Sequence, residues 1–346
     1  MSLDLPLIWA GLIALAVGLY VLLDGFDLGV GILFPLAKTD ADRDVMMNTI
    51  APVWDGNETW LVLGGGGLLA AFPLAYAVLM PALYLPVTMM LAGLILRGVA
   101  FEFRLRGRDR GKRFWTWAFT GGSVLATLAQ GFVLGGFIQG VHARVDASGV
   151  IAFAGGPFDW LTPYTVLIAV GLLGGYVLLA AAWLMMKTQD DLHGDARRWM
   201  SVAIPLTAIL LAAVSVATLL VHPDVAERWG VSLKAIDLAR FAPLSPIPLL
   251  GAAGLAIAAI GVRRRSHRWP FAGGAMVFVS GYLGLAVGFA PFVVPGALTF
   301  RQAAADGSSL ALMLVGGVVF LPLILGYTAF VYWTFRGKIT PDAGYH

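Results

Sequence analysis

The sequence predicts an all-α protein that crosses a membrane about nine times and forms one integral membrane domain over residues 1–346. Three observations predict this. Of the 346 residues, 59% are hydrophobic and 12% charged; soluble domains carry roughly 25% charged residues, and a soluble fold of this chain would expose too much apolar surface. The apolar residues come in runs of about 20 or more, the length a helix needs to cross a ~30 Å hydrocarbon core. Lys and Arg collect in alternate connections between those runs.

Taken in order, spans are expected at 7–37, 50–71, 75–103, 114–141, 162–187, 197–221, 246–262, 270–294 and 309–335. Leu61 to Leu96 is one unbroken apolar run. As a single helix it would be roughly 50 Å long, too long for one crossing. Phe72-Pro73-Leu74-Ala75-Tyr76 is the expected turn within it, because proline and interfacial aromatics fall there. The longest connections, 142–161 and 222–245, are too short for a soluble domain of ordinary size.

With residues at span ends counted in their connections, one alternating set of connections and the C-terminal tail hold 17 of the 23 Lys and Arg. The other set holds 5, and Arg97 lies inside a span. The positive-inside rule then places the N-terminus outside and the C-terminus in the cytoplasm. The net charge of +3 reflects this topology and does not call for a nucleic-acid partner. Met1-Ser2-Leu3-Asp4 carry no Lys or Arg and no small-residue cleavage site follows, so the first run is expected to be a retained span and not a signal peptide. Cysteine is absent, which excludes disulfides, iron–sulfur clusters and thiolate-bound metal. Many of the 43 glycines fall mid-span, as in Gly64-Gly65-Gly66-Gly67 and Gly135-Gly136. Small residues let helices approach closely in lipid. The Gly64 run precedes no Lys-Ser/Thr pair and is no phosphate loop. Gly18-Leu19-Tyr20-Val21-Leu22-Leu23 faintly echoes Gly175-Tyr176-Val177-Leu178-Leu179, but apolar helices echo one another by chance.

Ionisable residues inside the runs are the candidate functional groups, since a carboxylate at mid-membrane costs about 2.5–3.5 kcal/mol on insertion scales. Asp24 and Asp27 interrupt the first run, three apart and on one helix face. Either the helix ends at Leu23 and they form a solvated turn, or it continues to Ala37 and Asp27 sits roughly 15 Å from the cytoplasmic end. The second run opens Trp54-Asp55-Gly56-Asn57-Glu58-Thr59-Trp60. With a span starting at 50, Asp55 and Glu58 lie roughly 8–12 Å inside its cytoplasmic end. Stabilisation by the helix dipole is one reading of these acids; a polar path into the protein is the other. Arg97 either snorkels or pairs with Asp27 or Asp55. Glu102 and Arg106, four apart, are expected to form a weak surface pair beside Arg104.

His142, His193, His222, His267 and His346 all fall in connections, at span ends or in the tail. Intramembrane haem usually needs axial His, so no haem bound through His is expected in this chain. The Met residues are expected to fill gaps, and no carboxylate–His grouping suggests a metal site.

Two segments carry a family resemblance. Gly25-Phe26-Asp27-Leu28-Gly29-Val30-Gly31 and Trp54-Asp55-Gly56-Asn57-Glu58-Thr59-Trp60-Leu61 resemble the hallmark segments of cytochrome bd-type quinol oxidase subunit II. Arg97-Gly98-Val99-Ala100-Phe101-Glu102 and the Gly135–Val141 stretch resemble the ends of that family's third and fourth spans. Two features depart from it: Glu58 stands where some members have Gln, and Trp115-Thr116-Trp117 lacks an aspartate that some members carry. The resemblance implies two four-helix bundles plus a peripheral helix, paired pseudo-symmetrically with a larger subunit I that holds haem b and haem d. It implies quinol oxidation and reduction of dioxygen to water in a bacterial cytoplasmic membrane, with charge separation and with catalysis only in the complex. On that pattern Asp55, with Trp54, Asn57 and Glu58, lines a cytoplasmic proton path. Asp24, Asp27, Arg97 and Glu102 stabilise the haem-bearing partner or the path. The resemblance leaves room for a structural quinone, bound lipid and a small accessory subunit. A secondary transporter, built on intramembrane acids and broken helices, and a passive assembly scaffold are the rival readings.

Overall fold

The computed structural model describes residues 3–106, 109–145, 151–232 and 235–339. The first helix, α1 (Leu5–Leu33), is capped by the Asp4 carboxylate, which accepts from the Leu7 amide, and runs on into a short 3-10 turn at Phe34–Leu36. Helix α2 (Asp40–Ile50) starts at a reciprocal Thr39–Asp42 capping box. Next come α3 (Trp54–Ala71), α4 (Pro73–Arg106) and α5 (Asp109–Gln139). A hairpin of β1 (Ala143–Val145) and β2 (Ile151–Phe153) pairs antiparallel, with Arg144 opposite Ala152. It leads to α6 (Pro163–Lys187), opened by a Thr162–Thr165 capping box, and to α7 (Asp190–Val221). Short helices α8 (Pro223–Arg228) and α9 (Leu238–Leu244) precede α10 (Pro246–Arg263) and α11 (Trp269–Phe289). Strands β3 (Phe292–Val294) and β4 (Leu298–Thr299), a single turn α12 (Phe300–Ala303) and the long α13 (Gly307–Thr334) are the last elements among the described residues.

Among the described residues, eight helices are long and apolar enough to cross a membrane: α1, α4, α5, α6, α7, α10, α11 and α13. The chain is therefore a multi-pass membrane protein. The second expected span is present as α3, but it begins at Trp54 and not at 50, and its polar opening keeps it out of that apolar set. The chain reverses at Phe72-Pro73, the expected place, because proline cannot continue α3 but suits the first turn of α4. The span expected at 270–294 stops at Phe289, and its last residues form β3 instead. Prolines inside α4 (Pro81, Pro86), α7 (Pro205) and α13 (Pro322) leave those helices unbroken; neighbouring helices and local adjustments tolerate such breaks in lipid.

Helix α1 is central. It packs on α3, α5 and α6, while α4 packs on α5, α6 on α7 and α11, and α10 on α11. The whole stretch Asp24–Val30 is buried. Phe26 stacks on Trp183, ring centroids 4.1 Å apart, and meets Phe271 edge-on. Gly29 is required by the α1–α6 crossing, because a Cβ there would fall 2.0 Å from the Tyr176 carbonyl oxygen. Gly93 and Gly122 let α4 and α5 touch backbone to backbone in the same way. In contrast, α13 is exposed along most of its length.

Candidate functional site

The helix does continue through Asp24 and Asp27. Both side chains are fully buried in α1, so the solvated-turn alternative does not hold. Arg97, from α4, reaches them from across the bundle and is itself buried. Its Nη1 donates to Asp24 Oδ1 at 2.6 Å and its Nη2 to Glu58 Oε2 at 2.7 Å. The guanidinium therefore pairs with Asp24 and Glu58, and not with Asp27 or Asp55 as the sequence suggested. It also lies 5.8 Å from the Trp54 ring centre.

Asp27 takes a different partner. Asn57 Nδ2 donates to Asp27 Oδ2 at 2.7 Å, and the Asn57 amide oxygen accepts from the Tyr332 hydroxyl at 2.8 Å. Asn57 thus links α1, α3 and α13. One turn earlier on α1, the Tyr20 hydroxyl accepts from Gln130 Nε2 at 2.5 Å, and Gln130 Oε1 accepts from Tyr176 at 2.8 Å. This relay joins α1, α5 and α6 beside the ion pairs.

Three buried atoms of the network, Asp24 Oδ2, Asp27 Oδ1 and Arg97 Nε, have no hydrogen-bond partner among the described residues. Orphaned buried polar atoms of this kind are where ordered water is usually bound. Glu58 connects the network to the surface, its side chain 28% exposed. Asp55 is exposed. Because α3 starts at Trp54, Asp55 and Glu58 lie in its first turn or just beyond, shallower in the helix than the expected 8–12 Å, where the helix dipole favours acids.

Glu102 is exposed on α4, while the Arg106 side chain expected beside it and His346 lie outside the described residues. Arg104 was expected only at a span end, yet it is fully buried. It donates to Asp44 at 2.5 Å and to Thr116, and stacks over Phe34, which pins α2 beneath α4 and α5. Lys112 also holds Asp44, at 2.8 Å. Outside the spans, Arg43 beside Asp40 keeps that carboxyl below the usual carboxylate range. His142, His193, His222 and His267 all sit outside the helical spans or within the first turn of one. No group of three His, Cys, Asp or Glu among the described residues is placed to hold a metal ion.

The family model for cytochrome bd terminal oxidase subunit II matches residues 5–335. The chain belongs to that family. It is 30% identical to cytochrome bd-I ubiquinol oxidase subunit 2 of Escherichia coli K12, over 98% of this chain and 96% of that one. It is also 30% identical to the probable cytochrome oxidase subunit 2 of Haemophilus influenzae, over 96% and 94%. The bd oxidase structure from Geobacillus thermodenitrificans shares the fold, with a TM-score of 0.74 at 15% identity, covering 96% of this chain and 99% of that one. The two segments that carry the resemblance, Gly25–Gly31 and Trp54–Leu61, contribute Asp27, Asn57 and Glu58 to the charge network.

Sequence reasoning singled out Asp24, Asp27, Asn57, Glu58 and Arg97, which the structure brings together. Asp55 and Glu102, which the sequence also singled out, lie at exposed positions on α3 and α4. Sequence reasoning missed Tyr20, Gln130, Tyr176 and Tyr332, whose hydroxyls and amide are unremarkable in apolar helices. Gln130 was the available signal, as a primary amide in the middle of an otherwise apolar span.

Proposed function

We propose that this chain is the haem-free subunit II of a bacterial cytoplasmic-membrane quinol:oxygen oxidoreductase, non-catalytic alone, paired with a larger haem-bearing subunit I. In this reading it has two four-helix bundles, a peripheral helix α13, an outside N-terminus and a cytoplasmic C-terminus. The charge network has two tasks: it braces the face presented to subunit I, and it takes up protons from the cytoplasmic side. The observation that carries the reading is the Arg97 site, in which Asp24 and Glu58 share one guanidinium while Asp27 is held by Asn57 inside a subunit II fold. Buried charge of this kind inside a membrane is costly and is usually kept for function.

Glu58 is the natural inlet, since it touches both the surface and Arg97. Asp55, one turn away on the same face of α3, collects protons ahead of it, with Trp54 walling the entrance. Waters bound at the orphaned atoms of Asp24, Asp27 and Arg97 complete the relay. The described histidines lie too near the span ends for axial ligation at mid-membrane, so haem b and haem d belong to subunit I. A structural quinone, lipid and a small accessory subunit are compatible with this assembly.

Glu58→Gln and Asp55→Asn in the assembled complex test the path. Glu58→Gln keeps a hydrogen-bond acceptor for Arg97 but cannot carry a proton as a carboxylate does. Both variants are expected to retain haem while slowing oxygen consumption and the build-up of membrane potential. Wild-type turnover in both would remove the path. Full turnover per haem together with poor assembly would leave only the bracing role.

A further inference from the structure

We propose that the basic cluster where the end of α6, the start of α7, the α10–α11 connection and the chain after α13 meet is a seat for the phosphate of an anionic membrane phospholipid. The inference does not rest on the oxidase reading. The cluster is built by backbone contacts. Lys187 donates to the Phe335 and Gly337 carbonyls, and the Ile339 amide donates to the Lys187 carbonyl at 2.9 Å. The segment after α13 is thereby laid across the end of α6, and it carries Lys338 to within 3.3 Å of His267 Nδ1. His267 and His193 meet edge-on with ring centroids 4.9 Å apart, and both turn Nδ1 toward the Met185 carbonyl. Arg197 donates Nε to the Val262 carbonyl at 2.9 Å, which places its guanidinium at the end of α10 beside Arg263, Arg264 and Arg265.

Charge is what distinguishes the cluster. Arg197, Arg264, His267 and Lys338 make no ion pair with a carboxylate among the described residues. Asp195 is already held by Lys38, at 3.1 Å, and by Arg198. Asp190 and Asp191, in the first turn of α7, form no ion pair with the cluster. His193 and His267 therefore stand beside Arg197, Arg264 and Lys338 with no carboxylate paired to any of them among the described residues. Such crowding disfavours a metal cation at the two imidazoles and favours an anion.

Position selects the lipid source. The cluster lies where spanning helices end, and two exposed tryptophans flank it. Arg264 lies 5.9 Å from the Trp269 ring centre and Arg336 lies 4.7 Å from that of Trp333. Tryptophan at a span end marks headgroup depth, and clustered Lys and Arg at that depth attract anionic headgroups.

The test uses the chain in its intact membrane complex, in nanodiscs of phosphatidylcholine with one-fifth phosphatidylglycerol. Native mass spectrometry counts retained phosphatidylglycerol, and a fluorescent phosphatidylglycerol reports affinity. Wild type and Lys338→Arg are expected to retain the lipid. Arg264→Gln, at an exposed side chain, should weaken binding, and Arg264→Gln with His267→Gln and Lys338→Gln should weaken it about tenfold or more. Arg144→Gln, on the exposed β1 strand far along the chain, should change nothing. Equal retention by the triple variant, or equal loss in Arg144→Gln, would overturn the site. Displacement of the lipid by millimolar inorganic phosphate would overturn the lipid assignment in favour of a soluble anion.

Discussion

Arg97 shows why the charge network is held as a unit. Asp24 and Arg97 are nearly or wholly out of solvent, so neither can be rescued by water when the other is removed. Breaking a buried pair from one side costs about 3–5 kcal/mol, whereas replacing both partners with apolar groups is often close to neutral. Arg97→Met is therefore expected to lower the thermal midpoint of the solubilised protein sharply, and Arg97→Met with Asp24→Leu to recover part of the loss. If the double variant is no more stable than the single one, the pairing does not account for the effect. The neighbouring Tyr332 hydroxyl makes a single neutral bond to Asn57. Tyr332→Phe should cost only about 1 kcal/mol, read by the same melting experiment. Asp159, outside the spans, adds a pH dependence. The Gly156 amide and then His142 hold its carboxyl below the usual carboxylate range. A depressed carboxylate stabilises the fold above its unfolded-state pKa, and that contribution disappears as pH falls through the folded value. Amide protection in residues 151–161, taken relative to the intrinsic exchange rate at each pH, should accordingly fall at acidic pH, below the ordinary carboxylate range, and Asp159→Asn should remove that pH dependence of protection.

Helices meet in this protein where glycine permits it. At Gly29 an added Cβ would fall 2.0 Å from backbone, and the α1–α6 crossing has no flexible side chain there to give way. Gly29→Ala should cost about 1–3 kcal/mol through overpacking. Gly65, on α3, has nothing within 4 Å, and alanine there should be tolerated or slightly stabilising through helix propensity. Thermal midpoints of the two variants, measured side by side, decide this: equal losses would mean that close approach is not the reason for Gly29. The same contrast explains what was legible in the sequence. Runs of apolar residues, the Phe72-Pro73 reversal and the charge asymmetry between connections are local signals, and they located the long helices but not α2, α8, α9 or α12. The start of α3 was misplaced by four residues, because Ile50 to Val53 reads as apolar chain, while the structure ends α2 at Ile50 and turns through residues 51–53. The acids of the first two spans and Arg97 were visible because charge is rare in apolar helices. Their pairing was not visible, since Asp24 and Asp27 share a helix face and only the angle of α4 decides which of them Arg97 reaches. Tyr20 and Tyr176, the tyrosines of the faint echo between α1 and α6, meet at Gln130. The echo alone gave no reason to expect that meeting, because it depends on α5 packing against both helices.

At the scale of the whole molecule, two helices leave long faces uncovered for different reasons. α13 is exposed along most of its length and apolar throughout, as a helix in contact with lipid should be. On α3, Asp55, Thr59, Val62, Gly66 and Leu69 fall on one side at helical spacing and are all exposed. That side holds an acid and a glycine, a poor match for lipid tails and a good one for a close-packed protein neighbour. The α3 side is thus the expected seat of the haem-bearing subunit, with the charge network immediately behind it through Glu58 and Asn57. Gly66 and Gly326 separate the two cases, because a Cβ added at either meets no atom within 4 Å and a bulky residue there should leave the isolated fold intact. Gly66→Trp is expected to reduce the haem that co-purifies with this chain, measured as absorbance per mole of polypeptide, while Gly326→Trp on α13 leaves it unchanged. The reverse result would place the partner on α13 and would separate the charge network from the subunit interface, leaving Glu58 to open toward lipid or water instead.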